Sequence, residues 1–550
     1  NYKIWFWSKM FMALLFLCCL QCVLCAKILF LFPHQLPSHY RAFSPIIDKL
    51  ASNGHQITAY VAPKFVKQKP IPNIKEIAVP PKGLQITQFD FLSWRNSSTL
   101  KYVHVLWTLI PTLTDGVLQS RELQDLMQSS EKFDLVIVES TFGQECLLAF
   151  GHKFKAPVVN LHPILVGPQM ALLTGLPHPF SYVPDFRLPL SDQMSIWGRT
   201  TNTLIGLYEL IGANFWYLPF VQEPMLRKYF KYPGSESIPS IKEMFSDVSL
   251  HLIDAHSMIG YIRPYSSNVI NVAGAHIKPA GKLPQDLQKF MDEATEGVIY
   301  FSFGSFIDVK TFPDYYRNIF VETLKSLKQR VIWKWHEEIP DAPNVLTSTW
   351  LPQVEILTHP NCKLFITHGG FNSLVEAMSI GKPVLGIPFF GDQFYNVAFY
   401  EHRGVGLEAD LNSLSAPYLK EKIERIIHTP SFAENAKQQA KIFKDEPQTS
   451  LERAVFWIEY VIRHKGAHHL KPASAKLPLY KYLLLDVIAF WSMLFYLKLP
   501  CVYLNLAFYD TKWCVTGNTQ LCSGPILKRI NKTTACQLNT QVCFWKHSTR

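Results

Sequence analysis

Cysteine is scarce wherever it could staple a fold. Of eleven cysteines, four lie within 1–25 and five beyond residue 500, leaving only Cys146 and Cys362 between. A disulfide framework is excluded, so the chain must rest on its apolar core. Clustered positive charge is also missing. The net charge is +11, but seven Lys/Arg against one acid fall at 498–550 and two Lys at 1–25, so the main body carries about +3. No basic stripe interleaved with aromatics appears, and a nucleic-acid partner is not expected. No G-x-G-x-x-G follows the first strand-like run and there is no P-loop. Neither D-x-D nor clustered His/Asp metal spacing stands out, and no 20–50-residue repeat or low-complexity tract is visible.

What is present is size and apolar content. A length of 550 residues allows two or more domains, and 48% hydrophobic residues directs attention to membrane segments. "SKMFMALLFLCCLQCVLCAKILF" has Lys9, an apolar run and small residues near Cys25–Ala26, the pattern of a secretory signal peptide over 1–25. The alternatives are a first strand or an anchor. Near the other end, Asp486 and Lys498 bound a short apolar run, Val487 to Leu497. With Lys498 snorkelling, 482–504 could cross a bilayer, and the Lys/Arg excess beyond it would place the tail in the cytosol. The expectation is a type I anchor in the endoplasmic reticulum membrane with the large domains lumenal; a buried hairpin is the alternative. Asn96 would then be a usable sequon and Asn531 an idle one.

Between these ends the chain alternates strands and helices. "AKILFLFP" reads as a strand, "YRAFSPIIDKLASNG" places Phe43, Ile46, Ile47 and Leu50 on one helical face, and "HQITAYVAP" reads as a second strand. "FDLVIVES" (Phe133–Ser140) and "APVVNLH" are later buried strands. Leu176 to Phe230 is aromatic and Pro-studded, a texture that suits either a pocket for apolar ligands or a helical packing layer. Gly, Pro and Lys over 271–285 suggest a linker. A second series follows: "GVIYFSFGS", the helix "PDYYRNIFVETLKSLKQ", then "RVIWKW", "NVLTSTW", "LFITHGG" and "PVLGIPFF". The expected class is α/β, with parallel sheets covered on both faces, a first domain over 26–270, and a second over 286–470.

Ligands of open parallel sheets sit beyond the carboxyl ends of the strands, and Ser305, Trp350, His368 and Asp392 all fall at or just after such ends. His368, Gly369, Gly370 and the helix N-terminus after them suit a diphosphate, through backbone N–H groups and the helix dipole. Glu376 could accept bonds from ribose, and Trp350 could stack on a base. The 44 residues "WLPQVEILTHPNCKLFITHGGFNSLVEAMSIGKPVLGIPFFGDQ", Trp350 to Gln393, resemble the signature of the UDP-glycosyltransferase family. "GVIYFSFGS", "RAVFWIEYVIRHKGAHHL" and "YKYLLLDVIAF" resemble its membrane-bound animal members, with an arthropod flavour. From about Lys498 the tail, including all of 505–550, departs from that pattern and lacks the family's dilysine ending.

The resemblance implies a GT-B fold of two Rossmann-like domains facing across a cleft, with a UDP-sugar in the second and a small lipophilic acceptor in the first. It implies that Trp350 stacks on uracil, Gln353 helps hold the nucleoside, and Glu376 takes the ribose. Ser305, His368, Gly370, Asn372 and Ser373 would hold the diphosphate, and Asp392 and Gln393 would face the sugar hydroxyls. The catalytic base falls in "LPSHY" as His39. Its partner, usually Asp, is here Glu139, with Glu145 as a nearby substitute. The expected reaction is a single inverting displacement, with His368, the glycine amides and the helix dipole stabilising the departing UDP and no divalent metal required. Asp254 stands where vertebrate glucuronosyltransferases carry an Arg, which favours UDP-glucose over UDP-glucuronic acid. Loss of turnover through Glu139, leaving a binding or carrier protein, is the competing reading. A homo-oligomer is open.

Overall fold

The computed structural model describes residues 25–83, 95, 97–305, 307 and 309–499. Nearly all of the expected leader, the Asn96 sequon, the end of the 482–504 segment and the tail over 505–550 lie outside these residues. The chain divides into two compact units, Asn1–Lys476 and Leu477–Arg550.

Two parallel sheets organise the first unit. One has seven strands: β1 (Lys27–Phe32), β2 (Gln56–Val61), β3 (Ile74–Ala78), β4 (Leu135–Glu139), β5 (Val158–His162), β6 (Leu250–Ile253) and β7 (Val269–Asn271), in the order β3-β2-β1-β4-β5-β6-β7. The other has six: β8 (Val298–Ser302), β9 (Arg330–Lys334), β10 (Val345–Ser348), β11 (Cys362–Thr367), β12 (Val384–Gly386) and β13 (Gly406–Glu408), in the order β10-β9-β8-β11-β12-β13. Both are doubly wound. The strand order reverses between β1 and β4 in one sheet and between β8 and β11 in the other, and those two gaps are where such sheets receive ligands. The central strands are buried on both faces, as their unbroken apolar runs require.

The crossover after β1 shows how the sequence makes the site. Helix α1 (Pro37–Ser52) opens on a proline whose missing N–H would have been an orphan anyway. It buries Phe43, Ile46, Ile47 and Leu50 against β1 and β2. Each such side chain contributes roughly 1.5–3 kcal/mol of apolar burial. The packed face fixes the helix, and its first turn, with Ser38 and His39, is therefore held at the tip of β1.

The boundary between the halves differs from the sequence reading in two ways. Residues 271–285 begin with the end of β7 and contain His276, which is buried. Helix α7 (Ser450–Arg463), expected within a second domain over 286–470, instead packs Ala454, Val455, Ile458 and Val461 among the side chains of β1, β2 and α1. Periodicity showed that this helix has an apolar face but not which sheet it covers. A further core joins Leu165, Val166, Ile253 and Tyr261 of the first half to Phe365, Phe371, Tyr395 and Phe399 of the second, closing the cleft floor.

The Pro-studded stretch resolves into loops and one long helix. Among the described residues, Ile196–Tyr229 is the one helix long and apolar enough to cross a membrane, by length and composition. Its first part, α3 (Ile196–Gly212), leads into a π-helical segment, Ala213–Gln222, whose Ala213, Tyr217 and Leu218 enter the core. The second unit has a short helix, Leu479–Tyr482, and a helix over 485–499 whose side chains are largely exposed.

Candidate active site

At the β1–β4 reversal, His39 and Glu139 meet. Nδ1 of His39 lies 2.9 Å from Oε1 of Glu139, which ends β4 and is buried. Thr141 donates its hydroxyl to the same oxygen at 3.0 Å, and the Phe142 ring lies 4.9 Å from the imidazole. With Nδ1–H donated to the carboxylate, Nε2 carries the lone pair and can accept a proton. Glu145 is engaged elsewhere, accepting from the Tyr217 hydroxyl at 2.7 Å. Burial, opposed by that hydrogen bond, pushes its carboxyl up to about 7. The extra methylene of glutamate therefore does not prevent the His39 contact.

Behind the dyad opens a cavity of about 100 Å³, lined by Trp107, Phe142, Leu165, Met170, Phe186 and Tyr217 with Glu145, His162 and Arg187 among them. Arg187 is buried and satisfied by Asp185, through Nε at 2.7 Å, and by Glu209 of α3. The lining is thus aromatic and aliphatic for the larger part, with Thr141, Glu145, His162, Gln169, Arg187 and Glu209 as its polar side chains. The Pro-studded region supplies Phe186, Arg187, Glu209 and Tyr217 to it.

Across the cleft, the β8–β11 reversal gathers the residues expected around a nucleotide. Helix α4 (Gln353–Thr358) begins with Gln353, whose amide donates to Glu376 Oε2 at 2.8 Å and lies 3.4 Å from the Ser373 hydroxyl. Glu376 and Ser373 belong to α5 (Phe371–Ile380), which follows β11 directly. Tyr300 of β8 donates its hydroxyl to the side-chain oxygen Oε1 of Gln353 at 3.2 Å. Trp350, just past β10, is 71% exposed, so its indole face is open for stacking. Ser305 is exposed in the loop after β8.

His368 sits between β11 and α5, partly buried, and desolvation together with the Lys334 ammonium lowers it to about 4, so the ring is neutral at physiological pH. The glycines serve that ring as well as the backbone. A Cβ at Gly370 would fall 2.3 Å from His368 Nε2, and one at Gly304 2.9 Å from its Cε1. Gly369, at φ +82°, would collide with Val397. Room for the imidazole and for α6 (Gln393–His402) is the demand these glycines meet in the packing.

Asp392 precedes α6 and accepts from Asn396 at 2.7 Å. Burial raises it to about 6, moderated by that bond. Gln393 turns its carbonyl to the backbone N–H groups of Phe389 and Phe390, at 2.8 and 3.3 Å. Asp254, just after β6, is buried and raised to about 8, first by desolvation and then by the Asp392 charge. Asn372 spans the cleft, donating to the Ser38 carbonyl at 2.7 Å.

Sequence reasoning missed three charged or polar residues here. Arg41 of α1 reaches Glu376 at 2.7 Å, His276 comes within 3.3 Å of the same carboxylate, and Lys334 at the end of β9 donates to the Gly304 carbonyl at 2.8 Å. Nothing local marks them. Lys334 alone sits at a strand end, the one signal that could have raised it.

The family model described as "UDP-glucoronosyl and UDP-glucosyl transferase" matches residues 26–522. UDP-glycosyltransferase UGT5 of Dactylopius coccus is 39% identical over 472 residues, 84% of this chain and 88% of that one. UDP-glucuronosyltransferase 2B1 of Rattus norvegicus is 30% identical over 530 residues, 92% and 96% of the two chains. Among solved structures, glycosyltransferase VinC in complex with dTDP aligns at a TM-score of 0.55 with 17% identity, over 80% of this chain and all of that one, a likeness of fold.

Proposed function

Because the chain belongs to the UDP-glucuronosyl and UDP-glucosyl transferase family, we propose that it moves glucose from UDP-glucose to a hydroxyl of a small lipophilic acceptor, with inversion at the anomeric carbon. It is a glycosyltransferase of GT-B architecture; the sugar, the acceptor and the roles of individual residues are the proposal. The observation that carries it is the 2.9 Å contact between His39 and Glu139 at one strand reversal, facing the Gln353–Glu376 seat at the other.

In this reading uracil stacks on Trp350, ribose hydroxyls bond Glu376, and the diphosphate lies along His368, Gly370 and the N-terminus of α5 with Asn372, Ser373 and Ser305. Asp392 and Gln393 face the sugar. The acceptor occupies the aromatic cavity with its hydroxyl at His39 Nε2. As the acceptor oxygen attacks, its bond to the anomeric carbon forms and the bond from that carbon to the β-phosphate oxygen breaks. The electron pair leaves with UDP, and the acceptor proton passes to His39. Glu139 steadies the resulting imidazolium through Nδ1, as in other His–carboxylate pairs.

Glucose is favoured because Asp392 presents a carboxylate at the proposed sugar end, beside a buried Asp254 that burial and the Asp392 charge keep protonated. A uronate would set a second carboxylate beside that of Asp392, whereas glucose adds no charge. Rates with UDP-glucose and UDP-glucuronic acid across a panel of phenolic acceptors test this directly; faster transfer from the uronate would overturn the donor assignment. We further place the protein in the endoplasmic reticulum membrane, type I, on the segment over 482–504. Protease protection of sealed microsomes, leaving 26–476 intact, is the expected result.

A further inference from the structure

Glu376 is fully buried, yet its carboxylate is met by a side chain from the opposite half of the molecule. Arg41, 54% exposed at the mouth of the cleft, places Nη2 2.7 Å from Glu376 Oε1. On the reading above, Glu376 is the carboxylate that ribose hydroxyls require. Gln353 holds Oε2, and Arg41 with His276 covers Oε1, so the carboxylate has no exposed surface and ribose can reach it only past the exposed Arg41. When ribose binds, Arg41 must leave.

Where the guanidinium goes follows from the surrounding charges. Lys334 stands on the phosphate side: its ammonium bonds the Gly304 carbonyl, and Gly304 abuts the His368 ring. Arg41 is near enough to Lys334 for the cations to repel, an effect which, after burial, lowers the lysine from its ordinary value. His368 is neutral and contributes no charge. Two cations thus converge on a basin whose carboxylate is about to be taken by a neutral sugar, and the next group along the nucleotide is a diphosphate carrying two negative charges. A guanidinium fork matches phosphate oxygens in pairs, and charge-assisted bonds of this kind are about twice as strong as neutral ones.

We propose that Arg41 is a donor-binding residue supplied across the cleft, resting on Glu376 when the site is empty and passing to the diphosphate of UDP or the UDP-sugar when ribose claims that carboxylate. The proposal rests on the donor seat described above. It makes the first half of the chain, otherwise the acceptor half, a reader of the phosphate charge. Ribose entry and diphosphate pairing become one exchange, so a nucleoside without phosphates must dislodge Arg41 and give it nothing in return.

The test is calorimetric titration of the full chain in detergent with uridine and with UDP, comparing wild type, Arg41→Gln and Arg41→Lys. Arg41→Gln is expected to weaken UDP about tenfold or more while uridine binds equally or more tightly. The preference for UDP over uridine therefore collapses by at least about tenfold, and lysine restores part of it. An unchanged preference overturns the proposal. If both ligands tighten together, Arg41 merely fills the seat; if both weaken together, it is a structural prop. Arg41 is half exposed, so the variants fold, and an unchanged melting temperature without ligand confirms it. Wild-type protein that binds neither ligand would instead remove the donor seat, and this inference with it.

Discussion

The two strand reversals solve different problems. At β8–β11 the site is local: His368, Gly370, Asn372, Ser373 and Glu376 fall within nine residues of one strand–helix joint. At β1–β4 the site is assembled from distance, with His39 and Glu139 separated by 100 residues and the cavity behind them contributed by α2 (Thr99–Thr108), a short helix over Pro168–Thr174, loops, α3 and the π-helical segment. A nucleotide is the same in every turnover and can be met by a fixed short motif. An acceptor is met by a surface gathered from many segments, each free to change without disturbing the sheet.

Breaking each half separately should give opposite phenotypes. The largest effect is expected from His39→Ala, which lowers kcat by about 10²–10⁴-fold, the range of a lost general base. UDP affinity on the same preparation stays within about twofold; joint loss of both would mean the halves are not separable. Gly370→Ala should do the reverse. Its methyl would lie 2.3 Å from His368 Nε2, so the ring must move, and overpacking of this kind costs roughly 1–3 kcal/mol. A displaced ring no longer meets the phosphate, so UDP titration should show an affinity about tenfold or more weaker; binding at wild-type strength would mean that the ring has no part in holding the nucleotide.

The smallest effect sharpens the contrast through pH. Burial favours the neutral form of Asp392, so the carboxyl is protonated below about 6 and ionised above it. An ionised carboxylate accepts sugar hydroxyls better. The affinity for UDP-glucose, titrated without acceptor so that no proton transfer to His39 enters, should therefore rise between pH 5 and 7 and then level. His368, at about 4, titrates outside this window. Asp392→Asn should bind UDP-glucose more weakly and lack this limb; a limb that survives the substitution belongs to another group.

The same contrast explains what could be read in advance. β1, β4, β5, β8 and β11 are visible as apolar runs because they are buried on both faces. β3 is a partly exposed edge strand, and β7 and β13 are three residues long, too short for any period to register. The proposed nucleotide seat is legible because its residues are neighbours in sequence. Arg41 and Glu376 are 335 positions apart, joined only when two sheets face one another. His39 and Glu139 stood out only through family resemblance, since a lone His at a helix start and a Glu at a strand end are ordinary features. The partner of α7 was unreadable for a related reason: an apolar stripe records that a face is buried, not beneath which sheet.

The central claim is that His39 and Glu139 act as one unit on the acceptor proton. A double-mutant cycle measures this most directly, with kcat for wild type, His39→Ala, Glu139→Gln and the double variant determined in one membrane preparation. If the carboxylate works only through the imidazole, the double variant should be within about twofold of His39→Ala alone. If the two losses multiply, Glu139 acts independently of His39, and the proposed dyad is contradicted.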